Sequence, residues 1–323
     1  MSVYVVTGGA GFIGSAIARR LTAAGEAVRV LDDFSTGRRD NLAGVQRDVT
    51  LFEGSVCDPE LVREALDGAD CVLHQAAQVS VPLSVEDPVH TNEVNVGGTL
   101  NVLTAARELG VRRVVFASSC AVYGDAPQLP KREDMPPAPK SPYAASKLAG
   151  EHYCRAFNDG LGPEAVSLRY FNVFGPYQDT ESQYAAVVPI FIRSIMLSRR
   201  PVVHGDGEQT RDFVFVDDVV EANLLAATSP KAAGAVLNIG SGERRSLNEL
   251  LSTLAELMGT PADADYADER PGDVRHSQAD ISLARKTIGF RPLVGFAEGL
   301  SRAVEWYQGK EDTTFFLPDA PEH

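Results

Sequence analysis

Tyr143 and Lys147 stand four residues apart in "SPYAASK", a spacing that sets a phenol and an ammonium on one face of a helix. A free tyrosine, with a pKa of about 10, is a weak base at neutral pH, and a neighbouring cation favours its phenolate. Such a pair can draw a proton from a sugar hydroxyl. A second hydroxyl precedes it: "SSCAVYG", residues 118–124, follows the apolar run "VVFA", which puts Ser119 at the exit of a strand. Tyr-x-x-x-Lys alone is common on helices, and its place after the fifth predicted strand and a serine-bearing loop is what selects it.

A nucleotide site is written earlier, in "VTGGAGFIG". Gly8, Gly11 and Gly14 follow the first predicted strand, and Phe12 and Ile13 open a helix. Glycines there permit a tight turn and close backbone approach to a pyrophosphate, while the helix start supplies N–H donors to the anion. Asp32, at the end of the second predicted strand, can accept hydrogen bonds from both ribose hydroxyls and would repel a 2′-phosphate, which favours NAD over NADP. Arg38 and Arg39 follow it, either to hold a phosphate or to line a solvated loop.

The elements that must position these residues are legible in the alternation of short Val-rich runs with amphipathic segments. Strands are predicted at 3–7, 27–31, 51–53, 71–74, 114–117 and 165–169. Helix-like stretches lie between them, such as "FIGSAIARRLTAAG" and "NEVNVGGTLNVLTAARELG", stopped by Gly25 and Gly110. The fold class that follows is α/β, a Rossmann-type doubly wound parallel sheet over residues 1–171. After it, Pro and Gly punctuate short strands. This describes a smaller α/β substrate region over 172–310, interleaved with the first, and a polar tail over 311–323.

Composition limits the partners. The 323 residues carry a formal charge of −14, which argues against general affinity for nucleic acid and requires any phosphate site to be local. No window approaches the roughly 20 apolar residues of a membrane span, and no leader-like segment precedes the first strand, so the expected compartment is the cytoplasm. Cys57, Cys71, Cys120 and Cys154 lack the paired spacing of a zinc site, so reduced structural thiols and no metal are expected.

Taken in order, "TGGAGFIG", "HQAA", "SSCAVYG", "SPYAASK", "RYFNVFGP" and "GDGEQTRDFVFVDD" make the chain resemble the extended short-chain dehydrogenases that act on nucleotide sugars. Within that group it is most similar to the UDP-hexose 4-epimerases. The resemblance implies Ser119, Tyr143 and Lys147 as catalytic residues. It implies NAD contacts from Gly8, Gly11, Phe12, Ile13, Gly14, Asp32, Ala76, Ala77 and Asn95, with Tyr143 and Lys147. The adenine-contacting Asp that the family often has near Ser55 is missing, and Asp58 stands as the alternative. For a UDP-sugar it implies Ser80, Ser119, Tyr143, Asn172, Val188, Arg211, Arg270, Asp273 and Ser277. Related 4,6-dehydratases carry an Asp-Glu pair where this chain has Cys120 and Ala121, and neither can supply a carboxylate for elimination. A small residue at Ser277 implies room for an N-acetyl group, hence UDP-GlcNAc/UDP-GalNAc beside UDP-Glc/UDP-Gal. A UDP-glucuronate 4-epimerase and a non-catalytic NAD-binding sensor are the alternatives. The helices at 92–110 and 143–158 are the expected contact of a homodimer.

Overall fold

The structure, a computed structural model, describes residues 1–179, 186–269 and 274–310. Arg270, Asp273 and the tail lie outside the described residues. The first half runs β1 (Val3–Thr7), α1 (Phe12–Ala23), β2 (Ala27–Asp32), β3 (Val49–Glu53), α2 (Pro59–Leu66), β4 (Cys71–His74), α3 (Val81–Glu86), α4 (Pro88–Asn92), α5 (Gly98–Glu108), β5 (Arg113–Ser119), α6 (Pro142–Ala156) and β6 (Glu164–Tyr170). It continues through β7 (Asn172–Phe174), α7 (Val187–Met196), β8 (Val202–His204), β9 (Thr210–Arg211), β10 (Phe213–Phe215), α8 (Val216–Thr228) and β11 (Val236–Ile239). It ends with β12 (Arg245–Ser246), α9 (Leu247–Met258), β13 (Asp265–Ala267), α10 (Ser282–Ile288) and α11 (Phe296–Gln308).

Seven strands form one parallel sheet in the order β11-β6-β5-β4-β1-β2-β3. The order reverses between β1 and β4, and ligands of such sheets bind beyond the carboxyl ends of the strands at that reversal. Successive side chains of β1 serve opposite faces: Val5 joins Leu31, Leu66, Val72 and Phe116 on one, Val6 joins Ile17, Leu21, Val30 and Leu73 on the other. Burial on both faces is why the strands read as unbroken apolar runs.

The six predicted strands are all present, four of them longer by one to three residues. The stretch read as one helix at 92–110 instead breaks at a π-helical turn over Glu93–Gly97. The seventh strand, β11, has no counterpart in that reading. It pairs with β6, so a strand from beyond residue 172 completes the nucleotide-binding sheet.

The remaining strands pair two by two, as β10-β7, β12-β9 and β13-β8. Phe174, Phe191, Phe213, Phe215, Leu250, Leu254 and Leu300 form a separate apolar cluster beneath them. Among the described residues, no helix is long and apolar enough to cross a membrane.

Candidate active site

At the nucleotide end, Gly8 turns at φ +65°, and a Cβ there would come within 2.7 Å of the Ala76 amide nitrogen. A Cβ on Gly14 would overlap the Gly8 carbonyl oxygen. Gly11 begins α1 without any side-chain cap, so the first-turn N–H groups of Phe12 and Ile13 are donors to which an anion can bind. Asp32 is buried, and its two carboxylate oxygens accept from the Ala10 and Phe34 amides at 2.8 Å each. Burial pushes its carboxyl up, and those two bonds oppose the rise. Arg38 pairs with Asp179 at 3.2 Å, and Arg39 with Glu53 at 2.6 Å. Asp58 uses Oδ1 to cap α2, accepting from the Glu60 and Leu61 amides at 3.0 and 3.2 Å.

A buried polar chain runs from β1 to α6. Thr99 gives its only hydroxyl proton to the Asn95 carbonyl, at 2.6 Å, so His74 Nε2 donates to Thr99 Oγ1 at 3.0 Å. His74 Nδ1 therefore accepts from Thr7 Oγ1 at 2.7 Å, and the Ala76 amide donates to Thr7 Oγ1 at 3.3 Å. Burial, aided by the charge of Lys147, drops the His74 pKa to about 3, so this imidazole is a neutral strut. Asn95, in the π-helical turn, accepts from the Gln78 amide at 2.8 Å and donates to the Gln78 carbonyl at 3.0 Å and to Ser146 Oγ at 2.9 Å. Ser146 in turn donates to the Tyr143 carbonyl at 2.7 Å. The loop bearing Ala76 and Ala77 is thus tied to the helix bearing Tyr143.

That helix, α6, starts at Ser141, whose hydroxyl accepts from the Ala144 amide, with Pro142 in its first turn. Ser84 Oγ accepts from the Tyr143 amide at 3.1 Å, which moors the segment after Ser80 to the first turn of α6. Ser80 itself caps α3, accepting from the Leu83 amide at 3.2 Å. Ser119 Oγ accepts from the Ala121 amide at 3.1 Å. Lys147 Nζ donates to the Ala117 carbonyl at 3.0 Å and sits 5.9 Å from the Tyr143 ring centre.

In the protein alone, Tyr143 is not the easily ionised phenol that the spacing suggests. Burial pushes its pKa up to about 12, against the opposing effect of a hydrogen bond with Ser119. The same burial brings Lys147 down to about 8, because an ammonium with few polar neighbours is poorly solvated. Cys120 is pushed up to about 11 by burial and by Asp212, so its thiol is not an activated nucleophile.

At the far end, Ser277 and Asn172 meet, with Ser277 Oγ donating to Asn172 Oδ1 at 3.4 Å. Arg211 donates to the Thr210 and Arg275 carbonyls at 3.1 Å each. Partial burial, followed by the charges of Arg244, Arg275 and Arg211, holds the His276 pKa down against the opposing charge of Asp206. This basic cluster is shared with carboxylates, since Arg275 pairs with Asp206 at 2.7 Å and with Glu269 at 3.3 Å. Val188 has its side chain in the apolar cluster, which leaves the first-turn backbone of α7 as its route to a ligand. Asp212 lies beneath, fully buried, accepting from Ser241 N and Oγ at 2.7 Å, Ala279 N at 2.9 Å and Gly242 N at 3.0 Å.

Residues 4–240 match the model of the NAD dependent epimerase/dehydratase family. The chain belongs to this family. Among curated epimerase/dehydratase relatives, the UDP-glucose 4-epimerase of Mycolicibacterium smegmatis is 40% identical over 310 residues, covering 95% of this chain and 98% of that one. Among solved structures, the UDP-N-acetylglucosamine 4-epimerase of Methanobrevibacter ruminantium, in complex with UDP-N-acetylmuramic acid, superposes with a TM-score of 0.92 at 39% identity. It covers 96% of this chain and 99% of that chain. The Thermus thermophilus UDP-glucose 4-epimerase in complex with NAD superposes with a TM-score of 0.86 at 41% identity, covering 95% and 99%. The cofactor of this epimerase/dehydratase chain is NAD, and the uncapped start of α1 with Asp32 at the end of β2 fits it.

Sequence reasoning did not reach Ser84, Ser146, His74, Asp212, Arg244 or His276 as parts of the site. His74, Ser146 and Asp212 do fall inside quoted motifs, "HQAA", "SPYAASK" and "GDGEQTRDFVFVDD", which mark the positions without disclosing their hydrogen bonds.

Proposed function

We propose that this chain is an NAD-dependent 4-epimerase of UDP-hexoses. The observation that carries the reading is the grouping of Ser119, Tyr143 and Lys147 at the carboxyl edge of the sheet, beside Cys120 and Ala121 where elimination would need carboxylates. Gly8, Gly11, Phe12, Ile13, Gly14, Asp32, Asp58, Ala76, Ala77 and Asn95 are proposed to hold or border NAD. Bound there, NAD supplies a reversible hydride acceptor and a positive charge near the phenol.

That positive charge opposes the burial that holds Tyr143 at about 12. Tyr143, with Ser119 bridging, then takes the proton of the sugar 4-hydroxyl as the C4 hydrogen departs as hydride. Once the ketone has turned over, the hydride returns from the cofactor to the other face of C4, and Tyr143 gives its proton back to the 4-oxygen. No net oxidation occurs. Lys147, fixed by the Ala117 carbonyl, stays beneath the phenol through both halves.

Arg211 and the basic cluster around His276 support a diphosphate, since a guanidinium matches it in charge and geometry. Asn172, Val188, Ser80, Arg270 and Asp273 are proposed for the remaining nucleotide-sugar contacts by resemblance. Small Ser277 supports UDP-GlcNAc/UDP-GalNAc alongside UDP-Glc/UDP-Gal. A cytoplasmic homodimer paired through the helices at 92–110 and 143–158 is part of the proposal: Tyr153 leaves apolar surface exposed on α6, and Val81, Leu83, Val85 and Val89 add to it on α3 and α4, which pack against α6. A monomer by light scattering at micromolar concentration would overturn the dimer.

The test is proton NMR of the purified protein with UDP-GlcNAc, without added NAD, and with UDP-glucose and UDP-glucuronate in parallel. A UDP-GalNAc anomeric signal supports both reaction and pocket. Turnover of UDP-glucose alone sinks the Ser277 argument, turnover of UDP-glucuronate alone moves the substrate to uronates, and no turnover even with NAD supplied sinks the reading. In the S277Y variant, UDP-GlcNAc turnover should fall further than that of UDP-glucose.

A further inference from the structure

Phe116 and Ser118 of β5 point at α6, whereas Ala117 alternates away from it and Ser119, at the end of the strand, meets Tyr143. Gly150 lets the helix lie directly on Phe116, because a Cβ there would overlap the ring. One residue on, Glu151 accepts a short hydrogen bond from Ser118 Oγ. Tyr143, Lys147 and Glu151 follow one another at four-residue intervals, so all three share the face of α6 turned to β5.

Glu151 is itself gripped from β6. Arg169 donates Nε to Oε1 at 2.8 Å and Nη2 to Oε2 at 2.7 Å, a bidentate pair whose side chains are 5% and 4% exposed. The guanidinium lies 4.7 Å from the centre of the Tyr123 ring, and the Tyr123 hydroxyl donates to Asn238 Oδ1 at 2.7 Å. A pair this deep is a poor source of stability, because the desolvation of both charges offsets their attraction and an apolar pair of equal volume would serve as well. What an apolar pair cannot do is fix register. Consecutive residues of β5 are tied to consecutive turns of α6, Ala117 to Lys147 and Ser118 to Glu151, at 3.0 Å in the first case.

We propose that Glu151, held by Arg169 and reaching Ser118, is a positioning residue for the epimerase reaction. It sets the register of α6 on β5, so that Tyr143 and Ser119 converge on one substrate hydroxyl with Lys147 beneath. This rests on the catalytic reading given above. Glu151 touches neither substrate nor cofactor, and its effect passes through Ser118 and the helix.

Removing Glu151 would leave Arg169 buried without its counter-charge and endanger folding. The sharper variant is S118A, which deletes one hydroxyl and leaves the ion pair whole, with S118T to restore the hydroxyl and Y143F as control. In S118A, kcat should fall about tenfold, with KM and bound NAD unchanged and the pH profile of kcat moved toward alkali as Tyr143 loses its placement. S118T should recover kcat to within twofold. A fall of less than fivefold, an unmoved pH profile, or a loss that S118T does not repair would each overturn the assignment. The control separates the two layers: Y143F at full turnover sinks the catalytic reading, whereas an inactive Y143F beside an unaffected S118A sinks only the role of Glu151.

Discussion

In the nucleotide half, Gly11, Asp32 and Ser119 sit at or just beyond the carboxyl ends of strands in one continuous parallel sheet. In the half proposed to hold the sugar, Asn172, Arg211 and Ser277 come from β7, β9 and the segment before α10, pieces of two or three residues or with no regular partner. The sheet half places a side chain by strand register, which is shared among seven strands. The other half places it by buried polar joints between segments far apart in the chain, as with Asp212 and Ala279, 67 residues apart. One consequence is where damage should spread: along the sheet in the first half, and around a single joint in the second.

The largest expected effect comes from breaking such a joint. D212A leaves the Ser241, Gly242 and Ala279 amides without that acceptor, while the Ser241 hydroxyl keeps the Glu243 carbonyl at 3.3 Å; at about 1–3 kcal/mol for each buried unsatisfied group, the loss should reach about 3 kcal/mol. Urea unfolding should show it, together with a raised KM for the UDP-sugar in protein that still holds NAD. Loss of NAD before loss of sugar affinity would contradict the comparison.

Next is G14A, whose added methyl has no room against the Gly8 carbonyl. A cost of about 1–3 kcal/mol is expected from overpacking. The absorbance of the purified variant should lack the NAD contribution. An NAD-replete, normally stable G14A would show that the turn is more pliant than its packing indicates.

A pH-dependent effect follows from His74, which links the two halves of the nucleotide site. Its pKa is about 3 in the folded chain against 6.5 when unrestrained. Between those values the unfolded chain binds the proton and the folded chain does not, so stability falls as pH drops through that window, by at most about 1.4 kcal/mol per unit. H74Q should flatten this slope in urea titrations at pH 4 to 7, and an unchanged slope would assign the acid sensitivity elsewhere. Smallest of all is R39A, which removes an exposed pair with Glu53 and should shift stability by less than about 1 kcal/mol, with NAD binding unaltered.

Much of the sheet half was legible because its strands are buried on both faces and its turns are glycine-bound. β11 escaped notice because four residues, "VLNI", in a region of scattered short strands carry no periodicity of their own, and only pairing with β6 makes them a strand. The break at Glu93–Gly97 escaped notice as well, since a π-helical turn is stabilised by Asn95 reaching Gln78, a contact that no helical pattern encodes.

The sequence by itself determined the first six strands of the sheet, the glycine turn before α1, the acidic residue at the end of β2, and the pairing of Tyr143 with Lys147 on one helical face. Each of these is local, resting on a spacing of a few residues. Tertiary structure decided what those groups do in the folded state. Burial holds Tyr143 near 12 and Lys147 near 8, three arginines from separate segments gather around His276, and Ser277 meets Asn172 across 105 residues of chain. Solvation and long-range charge depend on what surrounds a group, and that is fixed only when distant segments pack.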